Sequence, residues 1–170
     1  MRYVIVSPPY SGNSAGIRVL YELQKWLIRF GKDAMILTFG IPYKVEDDDI
    51  VVYPEIIPGN PLKAKKVVRY ILNVPGKLGG DTVYDKNEIL VAYDFGLAKY
   101  SNGVILRTPC IEDFFSNRGY QRTIDCFWAS RAKNTNHPAT KSCIEITYHW
   151  PATRRELAEL LNRTKTFYSY

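Results

Sequence analysis

The sequence predicts an α/β protein: a mainly parallel sheet with helices on both faces, followed by the start of a second α/β unit. Three observations carry this expectation. Short, β-branched apolar runs recur at residues 2–6, 34–39, 50–53 and 88–93. Between the first two, Ile17, Leu20, Tyr21, Leu23, Leu27 and Phe30 repeat at helical spacing. A fresh strand-and-helix pattern then begins beyond residue 120. Short apolar strands interleaved with amphipathic helices suit a parallel sheet, which has to be covered on both faces.

The first strand, residues 2–6, ends at Ser7-Pro8-Pro9 and leads into the small-residue loop Tyr10-Ser11-Gly12-Asn13-Ser14-Ala15-Gly16. Asn13 or Ser14 can cap the helix that follows, and Gly31 suits its C-terminal end. Residues 34–39 form the second strand, closed by Gly40 and Pro42. The acidic run Glu46, Asp47, Asp48, Asp49 reads as a solvated turn before the third strand, 50–53. Asn60-Pro61 reads as a cap followed by a first-turn proline. This predicts a second helix over residues 62–73, with Leu62, Val67, Val68, Ile71 and Leu72 apolar and Lys63, Lys65, Lys66 and Arg69 polar. Residues 88–93 and 104–106 are the fourth and fifth strands. Further on, 124–129 and 143–148 read as strands. Thr153-Arg154-Arg155-Glu156 reads as a capping box opening a helix, and 166–170 as a last strand. The domain division expected from this pattern is 1–117 and 118–170. The second part is read as a linker and the opening of a unit cut short, with Trp150, Tyr168 and Tyr170 left exposed or available for self-association.

Composition excludes several classes. The chain has 170 residues, 46% apolar and 24% charged, which excludes a mainly disordered chain. Three scattered cysteines, at 110, 126 and 143, do not make a disulfide scaffold. No stretch approaches the roughly 20 apolar residues of a membrane span, and the apolar run at the N-terminus is too short for a secretion signal. These features predict a cytoplasmic protein with reduced thiols. The net charge of +6 is uneven, with nine basic and four acidic side chains in residues 118–170. That excess suits an anionic partner or a solvated surface.

The candidate chemistry lies in loops. Ser11, Gly12, Asn13, Ser14 and Gly16 link a strand to a helix, where loop amides and the helix dipole favour an anion; a tight turn built of small residues is the alternative. G-x-G-x-x-G and the P-loop lysine are absent, and no carboxylate ends the second strand, which argues against a dinucleotide or ATP site. Cys126, His137, Cys143 and His149 lack zinc-site spacing, so no metal is expected. Asp94, Glu112 and Asp113, near strand ends, are candidate carboxylates for acid–base work, or else turn residues and caps. Arg131 and Lys133 follow a strand in a small-residue turn; they suit a diphosphate, or are solvated loop charges.

Several segments together resemble bacterial glycosyltransferases of the GT-B fold, of the kind used in surface-polysaccharide assembly. They are Ser7-Pro8-Pro9 with Ser14-Ala15-Gly16-Ile17, Val52-Tyr53-Pro54-Glu55, Gly59-Asn60-Pro61-Leu62 and Val67-Val68-Arg69. Trp150-Pro151, Thr153-Arg154, Glu156-Leu157-Ala158 and residues 167–170 continue the pattern. The resemblance implies two Rossmann-like domains, an acceptor-side N-terminal one and a donor-side C-terminal one. It implies transfer of a sugar from a nucleotide-sugar co-substrate to an acceptor hydroxyl of a glycan or lipid-linked acceptor. No further cofactor or obligatory metal is implied. Arg131 and Lys133 would contact the donor diphosphate, and Glu55, Asn60 and Asp94 would lie on the acceptor side. Ser130-Arg131-Ala132-Lys133 stands where the family commonly has a Gly-Lys-Gly-like turn, and the family's donor carboxylates have no counterpart, so the isolated chain is expected to be inactive. Contact with the inner face of a membrane is compatible with this reading; nucleic acid is not an expected partner. The alternatives are a non-catalytic acceptor- or sugar-binding α/β module and an epimerase-like α/β enzyme acting on nucleotide sugars.

Overall fold

A computed structural model describes residues 1–110, 112, 114–128, 140–147 and 149–169, with residue 169 described by its backbone only. The chain forms two compact units, residues 1–110 and 111–170, each an α/β arrangement on a parallel sheet.

The first unit holds β1 (Tyr3–Ser7), α1 (Ala15–Arg29), β2 (Ala34–Thr38), β3 (Ile50–Pro54), β4 (Lys66–Ile71) and β5 (Ile89–Ala92). Its sheet runs β2-β1-β3-β4-β5, parallel throughout. β1 is flanked by β2 and β3, as short connections between sequential elements favour. The expected strand over 104–106 is reduced to a bridge: the Ala92 amide donates to Val104 O at 2.9 Å, and the Leu106 amide to Ala92 O at 2.8 Å.

Helix α1 forms because its apolar residues line one face and its ends are closed. Ser14 caps the start, its hydroxyl accepting from the Ile17 amide at 3.4 Å. Gly31, at φ 70°, closes the end in the left-handed region that side chains avoid. Val19, Leu20 and Leu23 are buried against Ile5, Val52, Tyr70 and Val91 of the sheet, each contributing about 1.5–3 kcal/mol relative to exposure.

The helix expected over 62–73 is instead strand β4. Asn60 does open a turn, with its Oδ1 accepting from the Ala64 amide at 3.0 Å, but Lys63 takes φ 54° and ends any helical path. The β-branched run from Val67 then pairs with β3, Val67 beside Val51 and Arg69 beside Tyr53. Helices therefore do not cover both faces of this sheet. Helix α1 covers one. On the other, Val4, Val6, Leu37, Val51, Tyr53 and Val67 pack under loop residues Tyr43, Val45, Ile56, Ile57 and Leu62. The acidic run is also not wholly solvated: Asp49 is buried, and its Oδ2 accepts from the Tyr43 hydroxyl at 3.2 Å and the Glu46 amide at 3.0 Å.

The second unit holds β6 (Ile124–Trp128), β7 (Ile144–Ile146), α2 (Arg154–Arg163) and β8 (Thr164–Ser169), with parallel sheet order β7-β6-β8. The expected capping box is present: Thr153 Oγ1 accepts from the Glu156 amide at 3.2 Å, and Glu156 Oε2 from the Thr153 amide at 2.9 Å. Arg154 forks onto Glu112, with Nε 2.6 Å from Oε2. Asn162, buried in α2, accepts from the Arg118 amide at 2.9 Å. Trp150 and Phe167 are about half exposed, at 47% and 48%, while Tyr168 is partly covered and Tyr170 lies outside the described residues. Cys126 is buried, its Sγ 3.2 Å from the Thr164 hydroxyl. Among the described residues no helix is long and apolar enough to cross a membrane.

Candidate functional site at the sheet's C-terminal rim

In the first unit, the chain passes from β1 to β2 on one side and continues to β3 on the other side of β1. The loops leaving the carboxyl ends of β1 and β3 therefore diverge. In open parallel sheets this switch point is where ligands bind. The expected substrate loop Ser11–Gly16 lies there, between β1 and α1. Its turn is closed by the Ser14 amide donating to Ser11 O at 3.3 Å. The first turn of α1 has no acidic side chain of its own, and the helix presents the positive end of its dipole to this loop.

Beyond β3 stands Glu55, 3% exposed. Its Oε2 accepts from the Leu72 amide at 3.0 Å. Burial pushes its carboxyl above the usual carboxylate range, against the opposing pull of that hydrogen bond and of Arg69. Leu72 also lies between these two segments, its Cδ1 3.6 Å from where a Cβ on Gly16 would stand. Glu55 and the start of α1 thus border one region.

The other expected acceptor-side residues sit differently. Asn60 is occupied within the fold: its Nδ2 donates to Ala64 O at 2.8 Å, and its Oδ1 accepts from the Tyr53 hydroxyl at 3.1 Å as well as from Ala64. Asp94 follows β5, the edge strand furthest from β2, and caps a turn by accepting from the Leu97 amide at 3.1 Å. The structure therefore brings Ser11–Gly16 and Glu55 together at the switch point, but not Asn60 or Asp94. Arg131 and Lys133 lie outside the described residues, as do Asp113 and His137. Among the described residues no group of histidine, cysteine and carboxylate side chains could hold a metal ion.

Sequence reasoning missed the group that shapes this rim. Arg69 was expected on a polar helix face and is fully buried. Its guanidinium meets Glu88 through two hydrogen bonds of 2.8 Å. It also donates to Ile57 O at 2.6 Å and Gly59 O at 2.7 Å, and lies against the rings of Tyr53 and Tyr84 at 5.2 and 5.0 Å. The loop after β3 is therefore tied to β4 by one side chain whose charge is paired and whose donors are directed at carbonyls. Over this loop runs the glycine-bearing segment 76–80. Gly80 approaches so closely that a Cβ there would stand 2.1 Å from Glu55 O. The signal for Arg69 was its position inside a β-branched run, which argues for a strand.

Comparisons with protein-family models, with curated proteins and with solved structures return no match. The functional reading accordingly rests on the geometry of the rim and on the sequence pattern around it.

Proposed function

We propose that this chain takes part in glycosyl transfer, as the acceptor-side domain and part of the donor side of a nucleotide-sugar-dependent glycosyltransferase acting in cell-surface polysaccharide or glycan synthesis. The observation that carries the reading is the β1/β3 switch point. There a polar βα loop and the start of a helix border a buried carboxyl, Glu55. The parallel α/β core of the second unit and the order of the sequence segments shared with GT-B enzymes add support.

In this reading an acceptor hydroxyl sits at the rim. Glu55 accepts a hydrogen bond from the acceptor, and Ser11, Asn13 and Ser14 hold neighbouring hydroxyls. The acceptor oxygen forms a bond to the anomeric carbon as the bond to the diphosphate breaks. The acceptor proton passes to a base, and a nucleoside diphosphate leaves. Arg131 and Lys133 stabilise the negative charge that grows on that leaving group. No metal or further cofactor takes part, and the acceptor is a glycan or a lipid-linked one met at the inner face of a membrane.

Calorimetry against nucleoside diphosphates tests the donor side. Two cations acting alone on a diphosphate would give weak, salt-sensitive binding, on the order of millimolar, and Arg131→Ala is expected to weaken it further. Nucleoside-diphosphate binding that is absent, or that is insensitive to both Arg131→Ala and Lys133→Ala, overturns the proposal. Glycan binding that Glu55→Gln weakens would support its acceptor side.

A further inference from the structure

Two aromatic rings on the same rim take no part in the proposed reaction. Tyr10 follows β1 and is 58% exposed; Phe39 follows β2 and is 50% exposed. Burial in the core accounts for neither ring. They stand on neighbouring loops, because the Phe39 amide donates to Ser7 O at 3.2 Å, at the end of β1. Tyr10 is held from behind. Its ring meets Tyr21 edge to face, centroids 5.1 Å apart and planes at 74°. The Tyr21 hydroxyl in turn donates to Pro8 O at 3.4 Å. An aromatic ring fixed in this way has lost little freedom left to lose on binding.

The chemistry around the rings narrows the ligand. Residues 7–16 read Ser-Pro-Pro-Tyr-Ser-Gly-Asn-Ser-Ala-Gly, and residues 38–43 read Thr-Phe-Gly-Ile-Pro-Tyr. Neither segment carries a charged side chain, and Lys25, which lies near Tyr10, is paired with Glu22 at 2.5 Å. An anionic lipid surface or a nucleic acid would call for Lys or Arg beside the rings. What these segments offer instead is aromatic faces next to hydroxyl and amide groups. A pyranose has matching parts: a C–H face, slightly positive and apolar, that stacks on the negative face of an aromatic ring, and a rim of hydroxyls. We infer that Tyr10 and Phe39 form a stacking platform for a ring of a neutral glycan, lying beside the Ser11–Gly16 loop. The inference rests on reading this rim as the acceptor side, and it gives that acceptor a class: an uncharged oligosaccharide that extends past the reacting hydroxyl toward β2.

The test is saturation-transfer NMR on the full chain with neutral oligosaccharides of glucose, galactose, mannose and N-acetylglucosamine. Saturation of pyranose C–H protons is expected with at least one of them. Tyr10→Ala and Phe39→Ala should each weaken binding about tenfold, the effect of losing one stacked ring. Tyr10→Phe should retain it, because the ring face and not the hydroxyl makes the contact. Both rings are exposed, so these variants keep the fold, and circular dichroism checks it. No saturation with any of these sugars, or equal binding by wild type and both alanine variants, overturns the inference. Glycan binding that depends on Tyr10, without nucleoside-diphosphate binding, would uphold the platform while removing the transferase reading, so the two fail separately.

Discussion

Two crossovers in the first unit solve the same problem by different means. Each carries the chain from one parallel strand to the next. Between β1 and β2 the crossover is α1, which lays Val19, Leu20 and Leu23 on the sheet. Between β3 and β4 it is a loop without a helix, in which Ile56, Ile57 and Leu62 pack on the sheet and a polar network ties the backbone down: Arg69 donates to Ile57 O and Gly59 O while paired with Glu88, and Asn60 closes its own turn. The helical crossover satisfies its backbone internally and needs only an apolar stripe. The loop crossover exposes its carbonyls to the sheet and so requires a buried donor group to meet them. One crossover depends on packing, the other on packing and a saturated charge network.

The sharpest way to break this contrast is Arg69→Ala. It leaves Glu88 and two carbonyls without their partner, and removal of one member of a buried pair costs about 3–5 kcal/mol. Arg69→Lys should recover only part of that, since an ammonium lacks the planar fork. Chemical denaturation measures both variants. Gly80→Ala comes next: a Cβ 2.1 Å from Glu55 O must displace backbone, at about 1–3 kcal/mol for the overpacking, and the strain at φ 76° adds to it. On the helical crossover, Ser14→Ala removes the cap and should cost about 1 kcal/mol. If Ser14→Ala cost more than Arg69→Ala, the contrast would be reversed.

Glu55 gives the smallest effect and the most specific one. Burial raises its carboxyl pKa, so between the unfolded value, near 4.5, and the raised folded value the native state holds more protons than the unfolded chain. Stability from this group is therefore greatest in acid and falls as pH rises through that interval. Glu55→Gln keeps an oxygen for the Leu72 amide and removes the titration. Its melting temperature relative to wild type should rise between pH 4 and pH 7, values chosen to bracket the onset of that interval. A difference that stays flat or falls would contradict the direction of the shift.

The same contrast explains what the sequence made legible. Helix α1 was readable because its fold rests on a period, Ile17, Leu20, Leu23 and Leu27, with Ser14 and Gly31 at the ends. The capping box at Thr153 and Glu156 was readable because it is local. Strand β4 was misread because Val67, Val68, Ile71 and Leu72 fit a helix face as well as a buried strand, and Asn60-Pro61 also starts turns. Tertiary pairing with β3 and the left-handed Lys63 decided the matter. At the candidate site, the loop Ser11–Gly16 was visible from its small residues between strand and helix. Arg69 was not, because its partners Glu88, Ile57 and Gly59 are distant in sequence and only the fold collects them. Tyr10 and Phe39 were likewise invisible as a pair, since the adjacency of β1 and β2 alone brings them to one rim.

The most direct test of the switch-point rim as the acceptor site is amide shift mapping by NMR, titrating the chain with a neutral oligosaccharide that binds. The expected shifts cluster at Tyr10, Ser11, Gly12, Asn13 and Gly16, at Phe39, and at Glu55 and Ile56, all beyond the carboxyl ends of β1, β2 and β3. Shifts confined to the opposite edge of the sheet, around Tyr3, Asp33 and Asp49, would contradict the account.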